Sequence, residues 1–336
     1  MKEQIKQIIS KAPNRLLARN LVREYCQARI LQFLQEGGAF TSWIFHGGTA
    51  LRLLYMLPRY SEDLDFALAN PSDPKDFVKV ISAVCKSFEA EAYLVKSHKL
   101  KVDIPVKSAF ITFPGLFYEL GLSPHRTEAL SIRVEVDSHP PEGGLFETSI
   151  IRRYIILNVL HYDQASLLSG KLHAILMRPY FKGRDLYDLY WYMSDPSWPG
   201  PNIRFLNEAL HQTKWQGPEV NLEGKTPSNG RREDPAALPP LLGQGMKPRP
   251  ATKGATPPWN PLERFPVASH GAYEPLVTPT NWGQLVINRL ESVDWPRAVD
   301  DVRPFIEREA DLSHLTREIV LKLLESRHLK NQKTSA

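Results

Sequence analysis

Two short runs hold most of the residues in this chain that could do chemistry. The first is HGGTALRLLYMLPRYSEDLDFAL, from His46 to Leu68. Its two glycines, Gly47 and Gly48, end an apolar stretch and let backbone approach a ligand without an intruding Cβ. Thr49 is a suitable N-cap for the helix predicted after them, whose free amides would attract phosphate. About one helix later the chain returns as a predicted strand bearing Asp63 and Asp65. Residues two apart on a strand share a face, so both carboxylates point one way while Leu64 and Phe66 pack inward. Paired carboxylates beside a phosphate-friendly turn describe a site for magnesium and a nucleoside triphosphate. A Gly-Gly turn alone or an Asp-x-Asp alone is more often structural; joined by a single helix, the two point to function.

The second run is KLHAILMRPYFKGRDLYDLYWYM, from Lys171 to Met193. Lys171 sits on a helix whose apolar side holds Leu167, Leu168, Leu172, Ile175 and Leu176, and it could project its ammonium onto a triphosphate. Asp185 and Asp188 are about one turn apart on the next helix and share a face. Asp185 also follows Lys182-Gly183-Arg184 at a helix start, where a carboxylate is favourable for local reasons alone; the residues themselves leave both readings open.

The elements that must position these groups follow from periodicity. Asn14–Gln35 reads as a helix stopped by Gly37-Gly38, Trp43–His46 as a strand, Thr49–Leu57 as a helix and Ser61–Leu68 as a strand. A helix over Lys75–Phe88, extended segments over Ala92–Lys107 and Ala109–Phe113, and an alternating strand, Leu130–Asp137, complete a mixed sheet. From Ser149 onward the pattern reads as helical, through Tyr162–Met177, Asp185–Met193, Trp282–Val293, Trp295–Glu309 and Leu315–His328. The expected fold is therefore α/β (α+β): a mixed-sheet core over 1–148 and a helical domain over 149–216 and 281–330. Between them, 217–280 holds 13 of the chain's 28 prolines, too many for any regular period, and reads as a flexible insertion. No internal repeat is visible.

Composition narrows the class. The 336 residues are 42% hydrophobic and 24% charged, which is ordinary for globular proteins. Forty-two basic against 37 acidic residues leave +5, which permits an anionic partner without demanding one. Cys26 and Cys85 cannot build a disulfide framework, and the ten histidines show no zinc-binding spacing. The apolar stretches are far shorter than the ~20 residues of a membrane span, and the first residues do not form a secretory leader, so a cytoplasmic protein without a membrane partner is expected.

The first run resembles the nucleotidyltransferase superfamily, whose signature is a Gly-Gly or Gly-Ser turn, a helix and an Asp-x-Asp strand. GGTAL followed by RYSEDLDF is similar to the AbiEii/AbiGii toxin family in particular. That family implies a downstream lysine and an Arg-Asp pair on helices, which Lys171 and Arg184-Asp185 supply. VDWPRAVDDVRPFIE resembles its last helices, so the likeness covers roughly Asn14–Met193 and Trp282–Leu324, with the proline-rich insertion as a departure.

The resemblance implies transfer of a nucleoside monophosphate from an NTP to an acceptor hydroxyl, with tRNA 3′ ends as the acceptor and a cognate antitoxin as partner. Asp63 and Asp65 would hold two Mg2+ ions, Gly47, Gly48 and Ser61 would cradle the triphosphate, and Lys171 would counter its charge. Asp185 would stand in the site with Asp188 supporting it. Ser61 could equally close the turn after Tyr60. A third metal carboxylate is usual in the superfamily; Glu135, on the polar face of SIRVEVDS with Arg133 and Asp137, is the choice, and Asp103 its competitor. Arg52 and Arg59 could reach phosphates or merely solvate a face. Lys96, Lys99, Lys101 and Lys107, with Arg126 and Arg133 further along, could follow an RNA backbone or simply be solvated. Two rival functions remain: nucleotidylation of a protein Ser, Thr or Tyr, and a non-catalytic nucleotide- or RNA-binding module with a decayed site. Retention of both aspartates and the lysine counts against decay.

Overall fold

The computed structural model of the protein describes residues 2–70, 76–215 and 275–334. Nearly all of the expected insertion lies outside the described residues. The elements before the sheet's centre are α1 (Lys2–Ile9), α2 (Arg15–Glu36), β1 (Trp43–His46), α3 (Gly47–Tyr55), β2 (Leu64–Leu68) and α4 (Phe77–Ala90). Then come β3 (Lys96–Lys101), β4 (Val106–Pro114), α5 (Leu116–Glu119), β5 (Ala129–Asp137), β6 (Phe146–Arg152) and β7 (Ile156–Tyr162). The rest is helical: α6 (Gln164–Met177), α7 (Gly183–Ser194), α8 (Ile203–Gln212), α9 (Trp282–Leu290), α10 (Trp295–Val302) and α11 (Arg317–Thr334). None of the described helices is long and apolar enough to cross a membrane.

The seven strands form one mixed sheet in the order β3-β4-β5-β2-β1-β7-β6. β2 runs antiparallel to β1 and parallel to β5, which sets Asp65 beside His46 on one side and Glu135 on the other. Leu64, Phe66, Val134 and Val136 alternate inward and are buried, so the polar partners between them must share the opposite face. On the buried side α2 and α4 close the core through edge-on aromatic contacts such as Phe33 with Phe88 and Phe88 with Phe113, each with centroids 4.9 Å apart.

Residues 149–162, expected to begin the helical part, are instead two strands of this sheet. β7 does alternate, with Leu157, Val159 and His161 buried. The alternation is masked by the apolar runs Ile150-Ile151 and Ile155–Leu157, of which Ile150 and Ile156 are exposed on the sheet's outer end. The predicted helix Trp295–Glu309 also stops early. Pro304 lies in a 3-10 turn over Arg303–Phe305, and the chain then pairs as an isolated bridge, Ile306 with Arg59.

That bridge belongs to an anchor beneath the Asp63–Asp65 segment. The Tyr60 amide donates to the Phe305 carbonyl at 2.7 Å, and the Asn20 side chain donates to the Pro304 carbonyl at 2.9 Å. Beside them the buried Glu24 carboxylate accepts from Arg52, from Arg153 at 2.7 Å and from the Tyr154 hydroxyl at 2.6 Å, while Arg52 also reaches Glu307. Arg52 and Glu24 thus meet counter-charges from distant parts of the chain, and the remaining Arg52 arm donates to the Leu57 carbonyl at 2.8 Å, as burial of charge requires.

At the other end of the site, α7 starts where α10 crosses it. The Gly183 amide donates to Asp301 at 2.7 Å, and a Cβ on Gly183 would be driven into the Ala298 carbonyl. Gly183→Ala should therefore force α7 and α10 apart and lower stability by roughly 1–3 kcal/mol, the usual cost of overpacking. A thermal melt unchanged from the parent protein would show that the helices yield freely there.

Candidate active site

The chain's turn after β1 is shaped by what it must approach. Gly47 has a φ of +76°, which L-residues rarely adopt, and any Cβ there would strike the Asp65 carboxylate. A Cβ on Gly48 would lie 2.8 Å from an Arg59 guanidinium nitrogen and 2.9 Å from the Ser61 hydroxyl. Both glycines thus hold the start of α3 against Asp65 and Ser61. Thr49 does not cap α3 as the sequence suggested. The helix begins two residues earlier, and the Thr49 hydroxyl donates to the Asp63 carbonyl, fastening the entry to β2. His46 occupies the cap position, but its side chain makes no capping hydrogen bond to the first-turn amides.

Asp63, just before β2, and Asp65, within it, open into one cleft with Glu135 from β5. Burial, reinforced by the neighbouring Asp63 charge, pushes the Asp65 carboxyl up to about 6. Burial also raises Glu135, against the pull of Arg133. Arg133 bridges the group: one guanidinium nitrogen donates to Asp63 at 2.9 Å and another to Glu135 at 3.0 Å. Among the described residues no three His, Cys, Asp or Glu side chains gather at metal-holding spacing. Glu135 is thus not assembled with the aspartates as the expected third ligand, because Arg133 holds it. The Asp63 and Asp65 pair still fits a hard divalent cation. Both offer only oxygen, and no described donor hydrogen-bonds the Asp65 carboxylate.

Across the cleft, α6 and α7 present the second run. The Lys171 ammonium lies 2.6 Å from Asp188 and 3.3 Å from Asp185. Asp185 also accepts from Arg178, which lies just beyond α6. Asp188 is fully buried and takes both arms of a bidentate pair from Arg59, at 2.5 and 2.6 Å. Burial alone would raise the Asp188 carboxyl, but Arg59 and Lys171 outweigh it and hold it below the usual carboxylate range. Asp188 therefore stays ionised and fixes Lys171 from behind. Asp188→Ala would strand the buried Arg59 charge, so it should cost about 3–5 kcal/mol. Urea unfolding measures this; a loss below ~1 kcal/mol would mean that water replaces the carboxylate.

These groups line a cleft of about 460 Å³. Beyond the charged half, its wall continues over Pro140, Tyr162, Leu167 and Phe205. His46 shares this wall, and burial pushes its imidazole down to about 4, so it is neutral at pH 7. Gly47, Gly48, Ser61, Asp63, Asp65, Glu135, Lys171 and Asp185 all line the cleft, while Asp188 lies behind Lys171. Asp103 does not join them; it lines a separate small hollow with Val102, Ile104 and Ser138. Arg52 and Arg59, read as phosphate contacts or surface charges, are buried at 2% exposure and committed to carboxylates. The sequence places Arg133 only in a basic stretch and on the polar face of its strand, and it does not mark Arg178 at all. The same alternation that shows Glu135 puts Arg133 on that face.

A single family profile decides what this arrangement belongs to. That of the nucleotidyltransferase AbiEii toxins, of type IV toxin–antitoxin systems, matches residues 29–246, more than half of the chain. The chain belongs to that family. Membership makes it a nucleotidyltransferase toxin by kind and implies an antitoxin partner. No curated protein matches it. Among solved structures, JHP933 from Helicobacter pylori is similar at 16% identity and a TM-score of 0.49, covering 94% of this chain and 95% of that one. MenT4, a nucleotidyltransferase toxin from Mycobacterium tuberculosis H37Rv, is similar at 16% identity and a TM-score of 0.42, with coverage of 62% and 68%.

Proposed function

We propose that this AbiEii-family protein transfers a nucleoside monophosphate from an NTP to an acceptor hydroxyl on RNA, with the 3′ end of tRNA as the acceptor. The acceptor hydroxyl would lose its proton to water, its oxygen would attack the α-phosphorus, the bond from that phosphorus to the bridging oxygen would break, and pyrophosphate would leave. The observation that carries this reading is the opposition of charges in one cleft. Two carboxylates, Asp63 and Asp65, face an anchored ammonium, Lys171, with the glycine-opened start of α3 beside them.

Asp63 and Asp65 would hold Mg2+, which when bound neutralises phosphate charge and acidifies the acceptor hydroxyl. Gly47 and Gly48 would let the triphosphate lie against backbone amides, with Ser61 as a hydroxyl donor. Lys171 would counter charge that builds on the transferred phosphate, already oriented by Asp188 and Asp185. An RNA acceptor is favoured by the cationic side chains that line the charged half of the cleft, Arg133, Arg178, Lys182 and Arg184. Incubating the protein with each α-labelled NTP and a cell extract, then treating with RNase or protease, tests it. Label lost to RNase and retained after protease supports the RNA reading. The reverse outcome moves the acceptor to protein, and no label with any NTP removes the transferase reading.

A further inference from the structure

The carboxylates of the cleft carry a resident counter-ion. Asp65 and Glu135 lie on neighbouring parallel strands and are directly paired in register, and Asp63 stands just before the first of these strands. Three like charges at that spacing repel one another strongly where water is partly excluded. Among the described residues, the one side chain that hydrogen-bonds any of the three carboxylates is Arg133, and it reaches the outer two at 2.9 and 3.0 Å. It leaves the middle one, Asp65, without a donor. Arg133 is also the most exposed member of the group, at 37% where Asp63 is 34% and Glu135 23% exposed. By contrast, Lys171 is 15% exposed and committed to two aspartates.

We infer that Arg133 is a placeholder for the cation, one that couples metal binding to phosphate binding. Its planar fork spans Asp63 and Glu135 and holds carboxylate oxygens that a divalent cation would use. A cation arriving alone must displace it from Asp63, and the guanidinium then loses one of its two carboxylate partners with nothing gained in exchange. Its affinity is reduced by the fraction of time that Arg133 is engaged. When phosphates arrive with the cation, Arg133 can exchange a carboxylate for a phosphate, because the same bidentate fork fits both. Glu135 is released in the same movement and becomes free to join Asp65. The site should therefore take cation and triphosphate together, with positive coupling between them, and should bind the cation weakly on its own. A mere surface ion pair would predict no such coupling.

This inference rests on the reading that Asp63 and Asp65 hold a divalent cation, and the test separates the two. Mn2+ binding is measured calorimetrically for the full-length protein, alone and with inorganic tripolyphosphate, which supplies the phosphate chain whatever the base. In Arg133→Gln, Mn2+ alone should bind about tenfold tighter, tripolyphosphate with Mn2+ about tenfold weaker, and the coupling between them should largely vanish. Arg133→Lys keeps the charge but not the fork and should fall between, and thermal melts of both variants confirm that they are folded. Should Asp63→Asn lose Mn2+ while Arg133→Gln binds it no tighter, the placeholder is overturned and the metal reading stands. Should Mn2+ binding be the same in Asp63→Asn, Asp65→Asn and the parent protein, the metal reading fails and the placeholder with it.

Discussion

Asp65→Asn is expected to reduce nucleotidyl transfer by roughly 10³-fold or more while leaving the protein folded and, above pH 6, somewhat more stable. The activity side follows from the chemistry of the cleft. If Asp65 holds the cation as proposed, its removal forfeits several kcal/mol of charge stabilisation, and each 1.36 kcal/mol is a factor of ten in rate. The stability side follows from the raised carboxyl, held near 6 in the folded protein against 3.8 in the open chain. Between those values the folded state binds the proton and the unfolded chain does not, so stability falls as pH rises from about 4 to about 6. Above pH 6 the native protein bears the whole cost of an unneutralised charge, about 1–3 kcal/mol after allowing for its partial exposure to water. Asparagine keeps the shape and removes the charge. Melting temperatures at pH 4 and pH 7.5 should differ less in the variant than in the parent, and transfer assays with Mg2+ give the rate. Normal transfer would take Asp65 out of the site; an equal pH dependence of melting in both proteins would remove the charge argument.

The sequence exposes those parts of the site that are local. Gly47-Gly48, one helix, then Asp63 and Asp65 is a self-contained unit whose spacing alone puts glycines and carboxylates at one end of two adjacent strands. The same holds for Glu135, because Leu130–Asp137 alternates cleanly, and for Lys171 with Asp188, because a helix interval sets each on its face. What escapes is pairing over distance. Arg52 and Arg59 look like exposed cations in their own segments, yet their partners are Glu24, 28 residues away, Asp188, 129 away, and Glu307, 255 away. Nothing within a window of one helix reports that a charge will be buried; only its counter-charge does. Arg133 is a milder case, with one partner two residues along its own strand and the other 70 residues away.

The misread strands have a different cause. β6 and β7 close one end of the sheet, where the outer face is not covered and isoleucines stand in water at Ile150 and Ile156. Where apolar residues fall on both faces, the two-residue period is diluted and the segment reads as a run. The early end of the helix after Trp295 was marked by Pro304, but the bridge that replaces it needs Arg59, far upstream. That bridge matters for function as much as for fold. It fixes Pro58–Tyr60, and so sets where the chain begins its approach to Asp63.

Lys171→Met should lower the turnover of pyrophosphate-releasing transfer by roughly 10²–10³, the size of one preorganised electrostatic contact, while NTP affinity weakens far less. The geometry sharpens this expectation beyond a simple loss of charge. Asp188 retains both Arg59 hydrogen bonds when Lys171 is gone, and Asp185 retains Arg178. Neither carboxylate is stranded, methionine keeps the apolar stem of the lysine, and α6 still packs through Leu172 and Ile175. The fold should therefore persist, with a melting temperature within a few degrees of the parent. What disappears is an ammonium that Asp188 and Asp185 hold in place at the cleft wall, so that on the proposed mechanism little reorganisation is needed as charge builds on the transferred phosphate. A ground-state contact would move affinity and turnover together; a contact that strengthens in the transition state moves turnover alone. Turnover and NTP affinity measured side by side decide between them. Turnover within a few-fold of the parent would remove Lys171 from the reaction. Arg184 would then be a poor substitute, since it already pairs with Glu62 at 2.8 Å and stacks on Phe305. Lys182, at the entrance to α7 and lining the same cleft, would be the cation to test next.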